Sequence, residues 1–116
     1  MSPDQTQLRL PPIPDAVTRL QGCLRALIED FGAEEVWVYG SVVRGDAGPD
    51  SDVDLLVVSA ANTRHQISRR LAHLQGTLPL GLNVVTPALW QQHREDRTTL
   101  FPEITQKGVC LYARHA

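Results

Sequence analysis

Acidic residues are crowded into one short stretch of this chain. Asp46, Asp50, Asp52 and Asp54 lie within nine positions and supply four of the thirteen acids. Asp52 and Asp54 stand two positions apart at the start of an apolar run, so a β-strand there would point both side chains to one face. Two carboxylates side by side repel each other unless a cation lies between them, and Mg²⁺ prefers such oxygen ligands. The pair Asp52 and Asp54 predicts a metal site, whereas Asp46 and Asp50 are interpreted as loop acids. The alternative for the whole cluster is a solvated acidic loop without a metal.

A glycine-punctuated segment just upstream has the composition of an anion-binding turn. Residues 40–45 read GSVVRG and directly follow a short run rich in Val and aromatic residues. Glycine lets the backbone approach a phosphate closely, and the turn or helix that begins there aims N–H groups at an anion. Ser41 adds a hydroxyl and Arg44 a guanidinium fork, although an ordinary surface ion pair is the alternative for Arg44. With the carboxylate pair, the segment predicts a site for a metal-bound nucleoside triphosphate.

Three other motifs that these residues could form are excluded by their spacing. A P-loop needs lysine directly after its second glycine, where this chain has Asp46, whose charge would repel phosphate. An EF-hand loop that begins at Asp50 needs a glycine at the position of Leu55. A dinucleotide-binding fingerprint needs the spacing G-x-G-x-x-G, which the sequence lacks.

Hydrophobic periodicity predicts the elements that must position these residues. A helix is expected from Asp15, as N-cap or first-turn acid, to a stop at Gly32. Further helices are expected over residues 63–75, from Thr86-Pro87 onward and from Pro102 to Gly108, and strands over residues 36–39, 52–58, 80–85 and 109–112. This alternation predicts an α/β (α+β) domain, with a small mixed sheet of about four strands covered by helices.

Length and composition exclude several classes of protein. The chain has 116 residues, a net charge of −2 and 42% hydrophobic residues, which argues against a disordered tail and against a large basic nucleic-acid surface. No apolar run approaches the roughly 18–20 residues of a membrane span, and the first residues show no secretion signal. Cys23 and Cys110 fall in apolar patterns, so we expect two buried thiols and a reduced, cytoplasmic setting.

The chain is expected to form one domain with a short extension. Half of the eight prolines lie in residues 1–14, which predicts an extended Pro-rich arm. Leu8, Leu10 and Ile13 are the side chains that could dock this arm on the body. Residues 15–116 are then a single domain.

The two motifs in combination resemble a known family. G-S-x-x-R-G at residues 40–45, followed by S-D-x-D-L at residues 51–55, is similar to the nucleotidyltransferase pattern of the DNA polymerase β superfamily. More narrowly it resembles the minimal nucleotidyltransferases of the antitoxin type, small proteins often paired with a HEPN-domain partner. The resemblance implies a polymerase-β-like fold over residues 15–112.

The resemblance also implies roles for individual residues. Gly40 and Ser41 would hold the triphosphate of ATP or another nucleoside triphosphate, with Arg44 assisting. Asp52 and Asp54 would bind two Mg²⁺ ions. Their carboxylates would be the catalytic and metal-ligating groups.

One position departs from the family pattern. The third acid of the family normally comes from a later strand, and the matching position here is Asn83. An amide oxygen can still coordinate a cation, but it brings neither negative charge nor basicity. The two-metal site would therefore be incomplete, and several kcal/mol of transition-state stabilisation depend on the missing charge.

Two hypotheses about function follow from the resemblance. In the first, the chain is a Mg²⁺-dependent enzyme that transfers a nucleoside monophosphate, AMP from ATP, to a hydroxyl of a HEPN-type toxin or another acceptor protein. In the second, it is a catalytically weakened homologue that binds nucleotide or blocks a toxin. The presence of Asn83 where the family has its third acid favours this second hypothesis. Homo- and hetero-oligomers are both compatible with the sequence.

Overall fold

Helices and strands alternate along the chain. The computed structural model describes residues 10–45, 52–60, 63–93 and 101–114. The elements, in chain order, are α1 (Ala16–Glu29), β1 (Glu35–Tyr39), α2 (Ser41–Arg44), β2 (Val53–Val58), α3 (Arg64–Gln75), β3 (Leu80–Val85), α4 (Pro87–His93), α5 (Phe101–Lys107) and β4 (Val109–Ala113). All four strands belong to one sheet.

The sheet is mixed, with the strand order β3-β2-β1-β4. β1 pairs antiparallel with both β2 and β4, whereas β2 and β3 run parallel with α3 as the connection between them. The prediction of a small mixed sheet covered by helices is confirmed. The register sets Tyr39 opposite Asp54, Asp54 opposite Gly81, and Leu56 opposite Asn83. These residues consequently share one face of the sheet, because side chains directly opposite each other point the same way.

The opposite face of the sheet carries the larger hydrophobic core. Helices α1 and α3 pack against each other and cover this face. Its fully buried side chains include Leu27, Val36, Val38, Leu55, Val57, Ile67 and Leu71. A smaller core lies on the first face, where α4 and α5 contribute Trp90 and Ile104 above Leu56, Val58 and Val85.

Three helices begin where the sequence predicts, although one of them lacks a side-chain cap. Thr63 forms a capping box with Gln66 at the start of α3, and the side chain of Thr86 accepts a hydrogen bond from the N–H of Leu89 in α4. Asp15 occupies the N-cap position of α1, but it has a left-handed backbone (φ 62°) and its side chain makes no cap hydrogen bond. Its predicted N-cap position is therefore confirmed, although its side chain does not cap the helix.

The two cysteines differ in their surroundings. Cys23 is fully buried in α1, where burial raises the pKa of its thiol against a smaller opposing effect of Arg19. Cys110 is exposed, so the prediction of a buried thiol is wrong there. The physical reason is that β4 is an edge strand with a partner on one side only. An apolar sequence pattern does not distinguish an edge strand from a central one.

The N-terminal extension is described only in part. Leu10 and Ile13 pack against the larger core, while residues 1–9, including Leu8, lie outside the described residues. Within the described part of the chain, no helix is both long enough and apolar enough to cross a membrane.

Candidate nucleotide site

The carboxylate of Asp54 lies between two glycines. A Cβ added at Gly40 would lie 2.6 Å from Asp54 Oδ2, and a Cβ added at Gly81 would lie 2.6 Å from Oδ1. Gly40 also has φ 85° and ψ −151°, a backbone conformation that a residue with a side chain rarely adopts. Glycine is therefore required at residue 40 on two counts, and both glycines leave room for the carboxylate.

A second carboxylate acts on Asp54. Asp52 is exposed and immediately precedes β2, whereas Asp54 is half-buried within the strand. Burial raises the pKa of Asp54, the charge of Asp52 raises it further, and the guanidinium of Arg44 opposes both effects. Asp52 and Arg44 thus both lie close enough to influence Asp54. The repulsion between the carboxylates is the one expected from their spacing.

The segment after β1 forms a one-turn helix at the same end of the sheet. The carbonyl of Gly40 accepts hydrogen bonds from the N–H groups of Val43 and Arg44, both at 3.1 Å. The helix α2 ends at Gly45, whose N–H donates to the carbonyl of Ser41 at 3.0 Å. Ser41 is half-buried and Arg44 is exposed. Because Gly40 contacts Asp54, this turn and the carboxylates form one site.

Arg44 has a partner that the sequence did not indicate. Its Nη1 lies 3.9 Å from Oε1 of Glu103, which comes from α5. Both side chains are about half exposed, so the pair is exchangeable with solvent. Glu103 lies about sixty residues from Arg44 in sequence, outside either motif, and only the packing of α5 on this face of the sheet brings them together. The surface ion pair considered for Arg44 is present.

Asn83 is connected to the site through a tyrosine. The side chain of Asn83 acts on the phenol of Tyr39, which is the last residue of β1 and the register partner of Asp54. Burial raises the pKa of the Tyr39 phenol, as do the charges of Asp54 and Glu103, while the side chain of Asn83 lowers it. Tyr39 was missed by the sequence analysis, although its position directly before Gly40 is a signal that could have indicated it.

A comparison with known protein families identifies the family of this chain. The family model of the nucleotidyltransferase domain matches residues 20–109, which is most of the chain and includes both motifs and Asn83. The chain belongs to this nucleotidyltransferase family. The resemblance inferred from the two motifs is confirmed at this level.

Two individual proteins are similar to this nucleotidyltransferase domain. The protein adenylyltransferase MntA of Thermococcus cleftensis is 58% identical over 33 residues, a segment that covers 28% of this chain and 33% of that relative. The match therefore spans about a third of the relative's length. A crystal structure from Sulfolobus solfataricus, of a protein proposed to be a nucleotidyltransferase, superposes with a TM-score of 0.55 at 16% identity. It covers 86% of this chain and 82% of that protein, which shows a shared fold.

The donor set of this nucleotidyltransferase domain fits a hard divalent cation. Asp52 and Asp54 supply carboxylate oxygens whose mutual repulsion a cation would remove, and the amide of Asn83 lies on the same face. Among residues 10–45, 52–60, 63–93 and 101–114, no three His, Cys, Asp or Glu side chains gather closely enough to hold a metal ion. Asp46 and Asp50 lie outside the described residues. The described site is thus a two-carboxylate site.

Proposed function

We propose that this nucleotidyltransferase transfers a nucleoside monophosphate, AMP from ATP, to a hydroxyl group of a partner protein. The observation that carries the proposal is the Asp54 carboxylate, which lies between Gly40 and Gly81 and is repelled by Asp52. This arrangement costs stability in the absence of a ligand, and it is chemically useful only when a cation is bound.

The residues of the site take distinct roles in this proposal. Asp52 and Asp54 would hold Mg²⁺, which would supply Lewis-acid chemistry for the attacking hydroxyl and charge stabilisation for the leaving pyrophosphate. The Gly40 backbone and the Ser41 hydroxyl bind the triphosphate, because residue 40 has no side chain to keep phosphate away. Arg44 offsets negative charge on the phosphate oxygens once its contact with Glu103 is exchanged.

The acceptor is proposed to be a protein hydroxyl. The 33-residue segment that is 58% identical to a protein adenylyltransferase supports this choice, as does the motif resemblance to minimal nucleotidyltransferases. On this hypothesis the acceptor is a HEPN-type toxin, the chain is its antitoxin, and both work in the cytoplasm, where ATP is supplied. The larger part of the described chain is used to build the sheet and its two cores, so the acceptor must bring its own fold.

A second candidate function is favoured by Asn83. The described residues contain no third carboxylate at the site, so the cation that activates the attacking hydroxyl would have one charged ligand fewer. A homologue weakened in this way would keep its nucleotide affinity and act by binding, either as a nucleotide-responsive subunit or by blocking a toxin.

One experiment distinguishes the two functions. The chain is incubated with a HEPN-type acceptor, ATP and Mg²⁺, and the intact mass of the acceptor is measured. Addition of AMP by the wild type and its loss in Asp54→Asn would support the enzyme. Addition only after Asn83→Asp would establish the weakened homologue. Asp15→Asn is the matched control, because Asp15 is exposed and its side chain makes no cap hydrogen bond.

A binding measurement tests the site itself. The affinity for Mg²⁺-ATP is compared between the wild type and Asp54→Asn by titration calorimetry. A drop of at least tenfold is expected, because the variant removes a charged ligand. Unchanged affinity would show that the nucleotide binds elsewhere.

A further inference from the structure

The candidate site has different surroundings on its two sides. Asp54 lies in β2, which has β1 on one side and β3 on the other. Towards β1, the site contains the Gly40 backbone, the one-turn helix α2 and Glu103 from α5. Towards β3, the residue opposite Asp54 is Gly81, which has no side chain, and the next residue on the same face is Asn83. β3 is an edge strand, so the sheet ends on this side.

The proposed reaction needs the acceptor on the β3 side. In the transfer of AMP, the acceptor oxygen forms a bond to the α-phosphorus, and the bond from that phosphorus to the bridging oxygen of pyrophosphate breaks. The electrons of the broken bond leave with pyrophosphate, and the hydroxyl proton passes to solvent water. The attacking and leaving oxygens lie roughly in line on opposite sides of the phosphorus. With the leaving phosphates held at Gly40 and Ser41, the attacking hydroxyl must approach from β3.

A guanidinium group lies at this same edge of the sheet. Arg64, the first residue of α3, donates a hydrogen bond from Nε to the carbonyl of Leu82 at 3.1 Å. Leu82 lies in β3 between Gly81 and Asn83. The Arg64 side chain is exposed, and this bond uses only one of the five N–H donors of a guanidinium. The other donors can bind an incoming carboxylate.

The charge of α3 indicates what kind of partner fits this edge. The helix contains three arginines and no acidic residue, although the whole chain has a net charge of −2. A cation in the first turn is disfavoured by the positive end of the helix dipole, so Arg64 does not serve the stability of α3. Neither α3 nor β3 contains a Phe, Tyr or Trp on which a nucleobase could stack. The edge therefore fits an acidic protein segment better than a single-stranded nucleic acid.

We propose that Gly81, Leu82, Asn83 and Arg64 form the docking surface for the acceptor protein, and that an acidic side chain of the acceptor pairs with Arg64. This surface is called the β3 docking edge. The inference rests on the proposed function, because it takes the triphosphate to lie beside Gly40. The two substrates are then held from opposite sides, the nucleotide by β1 and α2 and the acceptor by β3 and α3. The acceptor hydroxyl reaches the site across Gly81, where no side chain intervenes.

Hydrogen exchange of backbone amides tests where the acceptor binds. Exchange is measured by mass spectrometry for the wild type with Mg²⁺ and a non-hydrolysable ATP analogue, with and without a HEPN-type acceptor. We expect slower exchange in β3 when the acceptor is present, because docking shields the edge from water. β4 is the matched control, since it is the other edge of the same sheet and should exchange at an unchanged rate. Slower exchange in β4 alone would overturn the proposal.

Arg64→Gln tests the charge. Glutamine retains an N–H donor for the Leu82 carbonyl and removes the positive charge. We expect the acceptor affinity, measured by titration calorimetry, to fall about three- to tenfold and to depend less on salt, with Mg²⁺-ATP affinity unchanged. Arg69→Gln is the matched control, because it removes the same charge from an exposed residue five positions further along α3. Its acceptor affinity should equal that of the wild type.

Two results of this comparison would overturn the β3 docking edge. One is an unchanged acceptor affinity in Arg64→Gln. The other is an equal loss in Arg64→Gln and Arg69→Gln, which would show a general attraction to α3 in place of a contact at the edge.

The two experiments also distinguish a failure of this inference from a failure of the proposed function. Slower exchange in β3 without AMP transfer by the wild type would support the docking edge and make the chain a binding partner. AMP transfer without any change of exchange in β3 would support the enzyme and overturn the docking edge. An acceptor that does not bind the wild type would contradict both. Protection of β3 by a single-stranded RNA, and not by the acceptor, would overturn the inference by replacing the protein with a nucleic acid.

Discussion

The two faces of the sheet use alternate residues of the same strands for opposite purposes. On the face covered by α1 and α3, the side chains of the central strands are apolar and fully buried. On the other face, the apolar core covers only part of the strands, and the remainder holds Tyr39, Asp54 and Asn83. Leu55 and Asp54 are adjacent in β2, yet Leu55 is 1% exposed in the larger core whereas Asp54 faces the candidate site. The larger core therefore only stabilises the fold, whereas on the site face the half-buried carboxylate of Asp54 opposes the stability that the smaller core contributes.

The largest expected effect contrasts these two neighbours. Leu55→Ala removes a buried side chain from the larger core and should lower the free energy of unfolding by about 2–5 kcal/mol, with Mg²⁺-ATP affinity retained where the variant is folded. Asp54→Asn should abolish tight Mg²⁺-ATP binding without lowering stability. Denaturant unfolding and titration calorimetry on both variants measure the contrast. Loss of binding in Leu55→Ala at temperatures where it is fully folded would show that the faces are not independent.

The second prediction concerns the space around Asp54. Gly81→Ala places a Cβ 2.6 Å from Asp54 Oδ1, so the carboxylate must move. We expect Mg²⁺-ATP affinity to fall about tenfold, or roughly 1.4 kcal/mol, with the β3 backbone unchanged. Gly22→Ala is the matched control, because a Cβ there has no atom within 4 Å and lies in α1. It should raise stability by about 0.5–1 kcal/mol and leave binding unaltered.

An equal loss of binding in both alanine variants would contradict this prediction. The same conclusion would follow if Gly81→Ala unfolded the protein without altering the affinity of its folded fraction. Either result would mean that the close contact between the glycine and the carboxylate has no functional importance.

The sequence predicted much of this contrast because the relevant signals are local. The run at residues 52–58 predicted β2, and the spacing of Asp52 and Asp54 indicated a shared electrostatic environment, in agreement with the structure. Thr86-Pro87 likewise marked the start of α4. The roles assigned to Gly40, Ser41, Arg44, Asp52, Asp54 and Asn83 stay predictions.

What the sequence could not predict depends on packing between distant elements. Glu103 reaches Arg44 only because α5 covers the same face of the sheet as Asp54. Tyr39 and Asn83 lie on one face of the sheet because the strand order places β2 between their strands. Cys110 is exposed because β4 lies at an edge, a property of the sheet rather than of its own apolar segment.

The third prediction concerns the ion pair at the rim of the site. Since phosphate must compete with Glu103 for Arg44, Glu103→Gln should raise Mg²⁺-ATP affinity two- to threefold, and added salt should reduce the gain. Glu29→Gln is the matched control, because Glu29 also forms an exposed ion pair at 3.9 Å, with Arg25 in α1. Binding should be the same in Glu29→Gln as in the wild type. A lower affinity in Glu103→Gln would instead assign Glu103 a supporting role at the site.

The smallest expected effect is a pH dependence of the free energy of unfolding that arises from Asp54 on the site face. Because burial and Asp52 raise the pKa of Asp54 above its ordinary value of 3.8, the metal-free folded state holds this proton more tightly than the unfolded chain does. Its free energy of unfolding should therefore fall as pH rises from that ordinary value through the raised one. Asp54→Asn lacks the titrating carboxyl and therefore this pH dependence. The stability of Asp54→Asn relative to the wild type should increase between the ordinary and the raised pKa of Asp54, and then stay constant at higher pH. Unfolding curves of both proteins, measured with chelator across the acidic range, test this. Parallel curves would mean that the carboxylate pair costs the fold nothing.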